Sequence, residues 1–409
     1  LAVIAVRSEG AIVATQRFFA DEGFEFMALL AAGSAAYRLA EVGEVYATCD
    51  KITDGDPDSW FDQWMATADR VRRVAEDAEG RGDQVSARDA FLRAANYTAT
   101  AFFYVLATKD PNRSLHTWRS HRRDFDRAMK LWPTPVEHIE IPYEDTHLHG
   151  YFWSGGEGSR PTVILNNGSD GPVTDMWMMG VQDAVARGWN AMTFDGPGQG
   201  YALYEQGLHF RYDWEAVVTP VVDYLVGRDD VDEHRIAIAG FSQGGYWVPR
   251  AVAFEKRIKA AVADPGVVRV DTSWRSHLPD VMIQLLDAGQ DEEFDGYFTE
   301  AMKSEPNVRR TLPKRMEPYG TTSMAAVLHE LEKWDLTDVA GNIQCSLLIT
   351  DPEGEQFWPG QSQKLFDLAG STDKQLLPFT AAEGANWHCE PMAPQLRNQR
   401  MMDWLAARM

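Results

Sequence analysis

A chain of 409 residues, 44% hydrophobic and 24% charged, is long enough for two folding units, or for one large α/β domain with an added lobe, and too apolar for a disordered polymer. Thirty-nine Lys and Arg against 61 Asp and Glu leave a formal charge of -22. Such a surface repels phosphate backbones and anionic lipid, so neither nucleic acid nor a membrane surface is an expected partner.

The opening LAVIAV is apolar, but Arg7, Ser8 and Glu9 interrupt it and no basic region precedes it, so it does not read as a secretory signal. No apolar run reaches the roughly 18 residues a spanning helix needs. The first ~135 residues read as helical. Asp56–Arg81 carries Trp60, Trp64, Val71, Val74 and Ala78 at helical spacing, with Asp58 and Ser59 as candidate N-caps and Gly80 and Gly82 as the stop. A second helix is expected from Ser86, where Ser86-x-x-Asp89 has a capping-box pattern, through Phe91, Leu92, Ala95 and Tyr97. The basic stretch His116–Arg127 reads as a solvated helix face rather than an anion site.

From Glu137 the texture changes. Strands are expected at His138–Pro142, His147–Trp153, Thr162–Asn166, Asn190–Phe194, Arg235–Ala239, Ala260–Ala263 and Ser346–Thr350, with a further apolar run at Gln375–Phe379. Helical patterns fall between them near Met176–Ala186, Trp214–Val226, Gly244–Phe254 and Gly360–Leu368, and Pro394–Arg408 closes the chain. This alternation predicts an α/β fold, a mostly parallel sheet with helices on both faces. Residues 271–340 break the rhythm with helical, strandless sequence and read as an insertion forming part of a lid. The expected organisation is a helical cap over 1–136 and a catalytic domain over 137–409. Three cysteines, Cys49, Cys345 and Cys389, show no CxxC or zinc spacing. They argue against a disulfide framework or metal site and suit a reducing, cytoplasmic compartment.

The chemistry concentrates at Gly240-Phe-Ser242-Gln-Gly244, a G-x-S-x-G between a buried strand and a helix. Small residues at both ends permit a sharp turn that lifts the Ser242 hydroxyl above the sheet. The same turn puts the Gln243 N–H at a helix N-terminus, where it can face an oxyanion. A neutral hydroxyl needs a base. The fold's chain order of Ser, acid, His selects His388, the one histidine beyond the last expected strand. His147, His149, His209, His234, His277 and His329 read as structural or exposed, with His209 or His277 able to line a pocket. The acid lies among Asp351, Glu353 and Glu355. In folds with such an elbow the acid commonly stands about four residues before a proline that opens the next helix. Counting from Pro359 favours Glu355, with Asp351, nearer the strand end, as the rival. A second oxyanion donor is expected from Gly168 or Ser169 in the loop Asn167–Gly171. Asp195-Gly-Pro-Gly-Gln-Gly200 lacks the Lys and spacing of a phosphate loop and reads as a tight structural turn.

Thr193-Phe-Asp-Gly-Pro-Gly-Gln-Gly200, the Ser242 elbow, Glu383-Gly-Ala-x-x-His-Cys and the Trp-rich helices around Trp60–Tyr97 together resemble the α/β-hydrolase superfamily. The resemblance is to the branch with an N-terminal helical cap that includes 2,6-dihydropseudooxynicotine hydrolase and the fungal Ayg1-type polyketide-shortening hydrolases. It implies a serine hydrolase, without cofactor, acting on esters or on C–C bonds flanked by ketones. Relatives often carry Asp where this chain has Glu355.

Trp177, Tyr246, Trp247, Trp274, Phe357, Trp358 and Trp387 fall beside the expected site loops, and those that line a cleft would favour a flat, apolar small molecule. Asp264, just past its strand, would help stabilise an enolate if protonated; otherwise it is an ordinary loop carboxylate. Two other readings stay open. One is an acylaminoacyl-type peptidase, although those carry an N-terminal β-propeller where this chain is helical. The other is a non-hydrolytic ligand-binding protein on the same fold. Whether the helical lobe supplies a homodimer interface or only a lid is also open.

Overall fold

Residues 17–409 are described by the computed structural model; the apolar opening segment lies outside them. The described chain divides into two compact units. One takes the residues up to Pro133 together with Tyr297–Arg315, and the other takes Thr134–Gly296 with Met316–Met409.

The first unit is helical: α1 (Glu22–Gly33), α2 (Val42–Cys49), α3 (Pro57–Gly80), α4 (Gln84–Phe102) and α5 (Ser114–Lys130). The cap of α3 is Asp56, whose side chain accepts from the Asp58 N–H, rather than Asp58 or Ser59. Pro57 explains the difference, since its fixed φ and missing N–H suit the first helical position. The Ser86 capping box does not form either. Helix α4 begins two residues earlier, and Asp89 instead pairs with Arg88. On α5, Arg127 pairs with Glu76 and Glu79 of α3, and Arg123 lies beside Asp124.

The apolar stripes of α3 and α4 meet in an aromatic cluster. Trp60 is fully buried, its ring centroid lies 4.5 Å from that of Phe24 and 5.8 Å from Trp64, and its Nε1–H donates to Thr100 O at 2.8 Å. Removing that side chain leaves a cavity and an unsatisfied carbonyl. Trp60→Ala should therefore cost about 3–5 kcal/mol, read as a lowered midpoint in chemical denaturation followed by far-UV circular dichroism.

The second unit holds one sheet of eight strands in the order β1-β2-β4-β3-β5-β6-β7-β8. They are β1 (Val136–Tyr143), β2 (Thr146–Trp153), β3 (Arg160–Asn166), β4 (Asn190–Phe194), β5 (Val231–Phe241), β6 (Ala260–Asp264), β7 (Ser346–Pro352) and β8 (Lys374–Phe379). Strand β2 is antiparallel to both β1 and β4, and β4, β3, β5, β6, β7 and β8 pair in parallel. The interior strands β3 and β5 are buried from Thr162 and Ile236 onward, and β4 and β6 throughout, as a sheet covered on both faces requires. The crossovers supply that cover: α6 (Val173–Met176) and α7 (Gln182–Ala186) around a π-helical turn, α8 (Gly200–Tyr204), α9 (Glu215–Val226) and α10 (Gly244–Val252).

Between β6 and β7 the chain is helical as read: α11 (Thr272–Arg275), α12 (Asp280–Asp287), α13 (Asp291–Ser304), α14 (Pro306–Met316) and α15 (Met324–Leu331). It is not one body, however, because Tyr297–Arg315 belongs to the first unit. An isolated bridge, Arg269 to Asp335, closes its base. Helices α16 (Gln361–Leu368) and α17 (Pro394–Ala406) complete the unit. Among the described residues no helix is long and apolar enough to cross a membrane.

Candidate active site

Strand β5 ends at Phe241 and α10 begins at Gly244, so two residues make the turn. Ser242 sits in the left-handed region at φ 56°, a conformation that costs a non-glycine residue about 1–3 kcal/mol. The turn is tight because a β-carbon at Gly240 would lie 2.2 Å from Gly244 O. The Ser242 N–H is spent on Asp264 O at 2.7 Å, pinning the turn to the end of β6. The hydroxyl is left partly accessible on a residue of intermediate exposure.

His388 lies between β8 and α17. Its Nε2 is 2.9 Å from Ser242 Oγ and its Nδ1 is 2.7 Å from Glu355 Oε2. A carboxylate only accepts, so Nδ1 carries the proton and Nε2 is free to accept from the hydroxyl. The other Glu355 oxygen accepts from the Phe357 and Trp358 N–H groups at 2.8 and 3.0 Å, which fixes the carboxylate's orientation. Of the rival acids, Glu353 is exposed and accepts from the Ala381 N–H. Asp351 is held above the usual carboxylate range by burial and by the neighbouring Glu355 charge, and the bond to Nδ1 is made by Glu355 alone of the three.

Burial opposes charge on both partners of the His388–Glu355 pair, and their attraction overrides it. Glu355 is held below the ordinary carboxylate range by His388 and the two backbone N–H groups, and His388 is raised above the ordinary 6.5 by Glu355. A base must be neutral, so kcat/KM for an aryl ester should rise with pH through a transition above 6.5. Glu355→Gln removes the raising charge and should move that transition to lower pH while lowering the plateau; a pH–rate profile reads both.

The loop after β3 packs against Ser242. A β-carbon at Gly168 would meet Ser242 Cβ at 2.8 Å and Oγ at 3.4 Å, so only glycine admits a substrate oxygen here. Its N–H, however, donates to Asn167 Oδ1 at 2.8 Å. The Gly168 N–H is thus engaged within its own loop in this structure. The Asp195–Gly200 loop does more than turn the chain. Gln199 Nε2 donates to Asn167 O and Gly168 O at 3.0 and 2.7 Å, while its Oε1 accepts from the Gly196 N–H at 2.9 Å. Gln199 thus braces the loop that faces Ser242. Gln199→Ala should lower kcat about 10-fold with little change in KM, since it loosens transition-state contacts rather than substrate binding; steady-state kinetics checks the split.

The expected pocket residues separate into two groups. Trp177, Tyr246 and Trp247 are core: Trp247 stacks on Trp214 at 4.2 Å, Tyr246 donates to Tyr212 O, and Trp177 lies 6.3 Å from Trp153. Helix α10 is buried on every side from Gly244 to Pro249, so its aromatic residues pack inward. Asp264 is fully buried with Oδ1 accepting from Thr350 Oγ1, beneath the elbow rather than facing substrate space. Trp358 is buried too, its Nε1–H donating to Val270 O, whereas Phe357, Trp274 and Trp387 are half-buried. Phe357 meets the His388 ring edge-on at 4.7 Å, and Trp358 lies 5.8 Å from it. Trp274 is half-buried edge-on to Tyr319, and half-buried Trp387 accepts from the Glu390 N–H. Cys389 escaped the sequence reading as a site residue although it follows His388. Its sulfur is 3.2 Å from Ser242 N and 3.3 Å from Asp264 O, and burial holds the thiol neutral.

The sheet order, the elbow and the Ser242–His388–Glu355 contacts define an α/β-hydrolase. The chain is similar along nearly its whole length to Hydrolase LUC6 of a Fusarium species, 31% identical over 93% of this chain and 95% of the relative. It is likewise similar to 20-hydroxy-prefusarin hydrolase FUS2 of Gibberella moniliformis, 30% identical over 95% and 97%. Among solved structures, 2,6-dihydroxy-pseudo-oxynicotine hydrolase superposes with a TM-score of 0.70 at 22% identity, covering 92% of this chain and 95% of that one. The model of the FrsA-like esterases matches residues 46–289, more than half of the chain, and the protein belongs to that family.

Proposed function

We propose that this hydrolase uses Ser242 as nucleophile, His388 as general base and Glu355 as its orienting acid, through an acyl-enzyme. The substrate is a small, aromatic or polyketide-like molecule cleaved at an ester or a ketone-activated C–C bond. The observation that carries the reading is His388 bridging Ser242 Oγ and Glu355 by its two ring nitrogens. Ser242 Oγ bonds to the carbonyl carbon as its proton passes to Nε2, and the Gln243 and Ser169 N–H groups receive the oxyanion. Collapse expels an alkoxide or enolate that takes the proton back from His388. A water then repeats the sequence, releasing the acid and restoring the hydroxyl.

The substrate class is supported by Phe357 and Trp358, which put aromatic surface beside the base. It is supported too by a full-length relative whose name gives 20-hydroxy-prefusarin as what it hydrolyses. A reducing, cytoplasmic setting is part of the proposal, in keeping with three free cysteines. Ser242→Ala should remove turnover by about 10³-fold or more, and Glu355→Gln should cost much more than Asp351→Asn. A panel of aryl esters, β-diketones and N-acyl peptides should show turnover of the first two only. Equal turnover of the peptides would favour a peptidase.

A further inference from the structure

Directly beneath the elbow lie two acids that the mechanism above does not use. Asp264, at the end of β6, and Glu390, two residues past His388, are both completely buried. Asp264 Oδ1 accepts from Thr350 Oγ1 at 2.7 Å, but Asp264 Oδ2 and both Glu390 oxygens accept from no N–H or O–H among the described residues. The two carboxyl groups are within hydrogen-bonding reach of each other. Two carboxylates are acceptors only and repel; one proton between them turns the same contact into a hydrogen bond.

The groups around the pair leave it little other relief. Arg397 of α17 is the nearby cation, but its guanidinium is committed to Cys389 O at 2.8 Å, Met178 O at 3.0 Å and Asn398 Oδ1 at 3.0 Å. Glu355 adds negative charge from the β7–α16 loop, His388 and Cys389 border the pair from their own loop, and Thr350 borders it from β7.

The backbone on either side makes the contact consequential. Asp264 O receives the Ser242 N–H, whereas Glu390 continues the loop that carries His388. That loop is strained next to the histidine, with φ 56° at Cys389 and 43° at Glu390. The Asp264–Glu390 contact therefore ties the nucleophile's anchor to the base's loop.

We infer that Asp264 and Glu390 are positioning residues that share a single proton and thereby hold His388 against Ser242. The inference rests on the Ser242–His388 reading above. Burial raises both carboxyls; the Asp264 charge lifts Glu390 further, well above the ordinary 4.5, whereas Arg397, Thr350, His388 and the hydrogen bond from Glu390 pull Asp264 back down, so the shared proton sits on Glu390 and is donated to Asp264. A raised folded-state pKa means that the stabilisation is complete below the ordinary carboxylate range and is lost as pH rises through the pair's own pKa. The site thus loses its alignment at alkaline pH, when the shared proton leaves and only Arg397 separates two like charges from open repulsion.

The test compares wild type with Glu390→Gln in the intact chain, by two readings. The first is kcat/KM for an aryl ester against pH. Glutamine offers a permanent N–H donor to Asp264, so activity at neutral pH should stay within about threefold, while the alkaline limb of the profile moves up or disappears. The second is the infrared band of a protonated carboxyl at neutral pH, which should be present in wild type and in Ser242→Ala and weakened in Glu390→Gln. The Ser242→Ala arm keeps this result independent of the nucleophile assignment. Superimposable alkaline limbs, or an unchanged carboxyl band in Glu390→Gln, would overturn the proposal. If Glu390→Gln does not fold, Asp264→Asn takes its place with the same expectations. Should neither fold, wild type decides alone. Reversible alkaline inactivation must then coincide with loss of the carboxyl band, and inactivation with the band unchanged contradicts the pair.

Discussion

The site depends on one backbone constraint, the left-handed conformation of Ser242 between the end of β5 and the start of α10. It lifts a hydroxyl out of a buried sheet, points the following N–H groups at the same space, and persists only because its surroundings over-determine it. Gly240 lets the strand end pass within contact of Gly244 O, Asp264 O takes the Ser242 N–H, and the Gly168 loop closes over the hydroxyl with no side chain to spare. Each of these comes from a different strand end, β5, β6 and β3. The parallel order of the sheet brings those ends together, so the topology assembles the site before any side-chain chemistry is considered.

Charge is the second demand. The neighbourhood of Ser242 gathers acids that could not all ionise in a buried space, and the structure treats each differently. Glu355 is kept ionised by an imidazole and two backbone N–H groups. Asp264 and Glu390 are raised by burial and face one another. Asp175, in the helix after the Gly168 loop, is pushed up to about 8 by burial with Asp170 beside it. Glu355 is lowered while Asp175, Asp264 and Glu390 are raised, so the negative charge beside His388 is concentrated on the group that bonds its Nδ1.

Much of this was legible before any coordinates. The G-x-S-x-G between an apolar strand and a helix needs no long-range information, because the turn's demands on residues 240, 242 and 244 are local. His388 could be reached by chain order and Glu355 by its spacing from Pro359. What stayed hidden depends on which way a side chain faces once the unit closes. Tyr246 and Trp247 follow the nucleophile at once, yet α10 is buried all round and turns them into core. The bond from the Gly168 N–H to Asn167 Oδ1 was hidden until the loop's fold was known. Gln199 and Glu390 sit inside motifs that were visible, but their partners come from distant strands and loops. At the helix starts, Pro57 outranked Asp58 and Ser59 because a proline's backbone fixes the first turn whatever the neighbouring side chains offer.

The most direct measurement is the position at which a fluorophosphonate attaches to the native protein, mapped by mass spectrometry on the peptide containing residues 235–250. A hydroxyl strained upward and hydrogen-bonded to His388 should carry one adduct, on Ser242, and His388→Ala should slow its formation by orders of magnitude. Absence of labelling, or an adduct on another residue with Ser242 unmodified, would contradict the account.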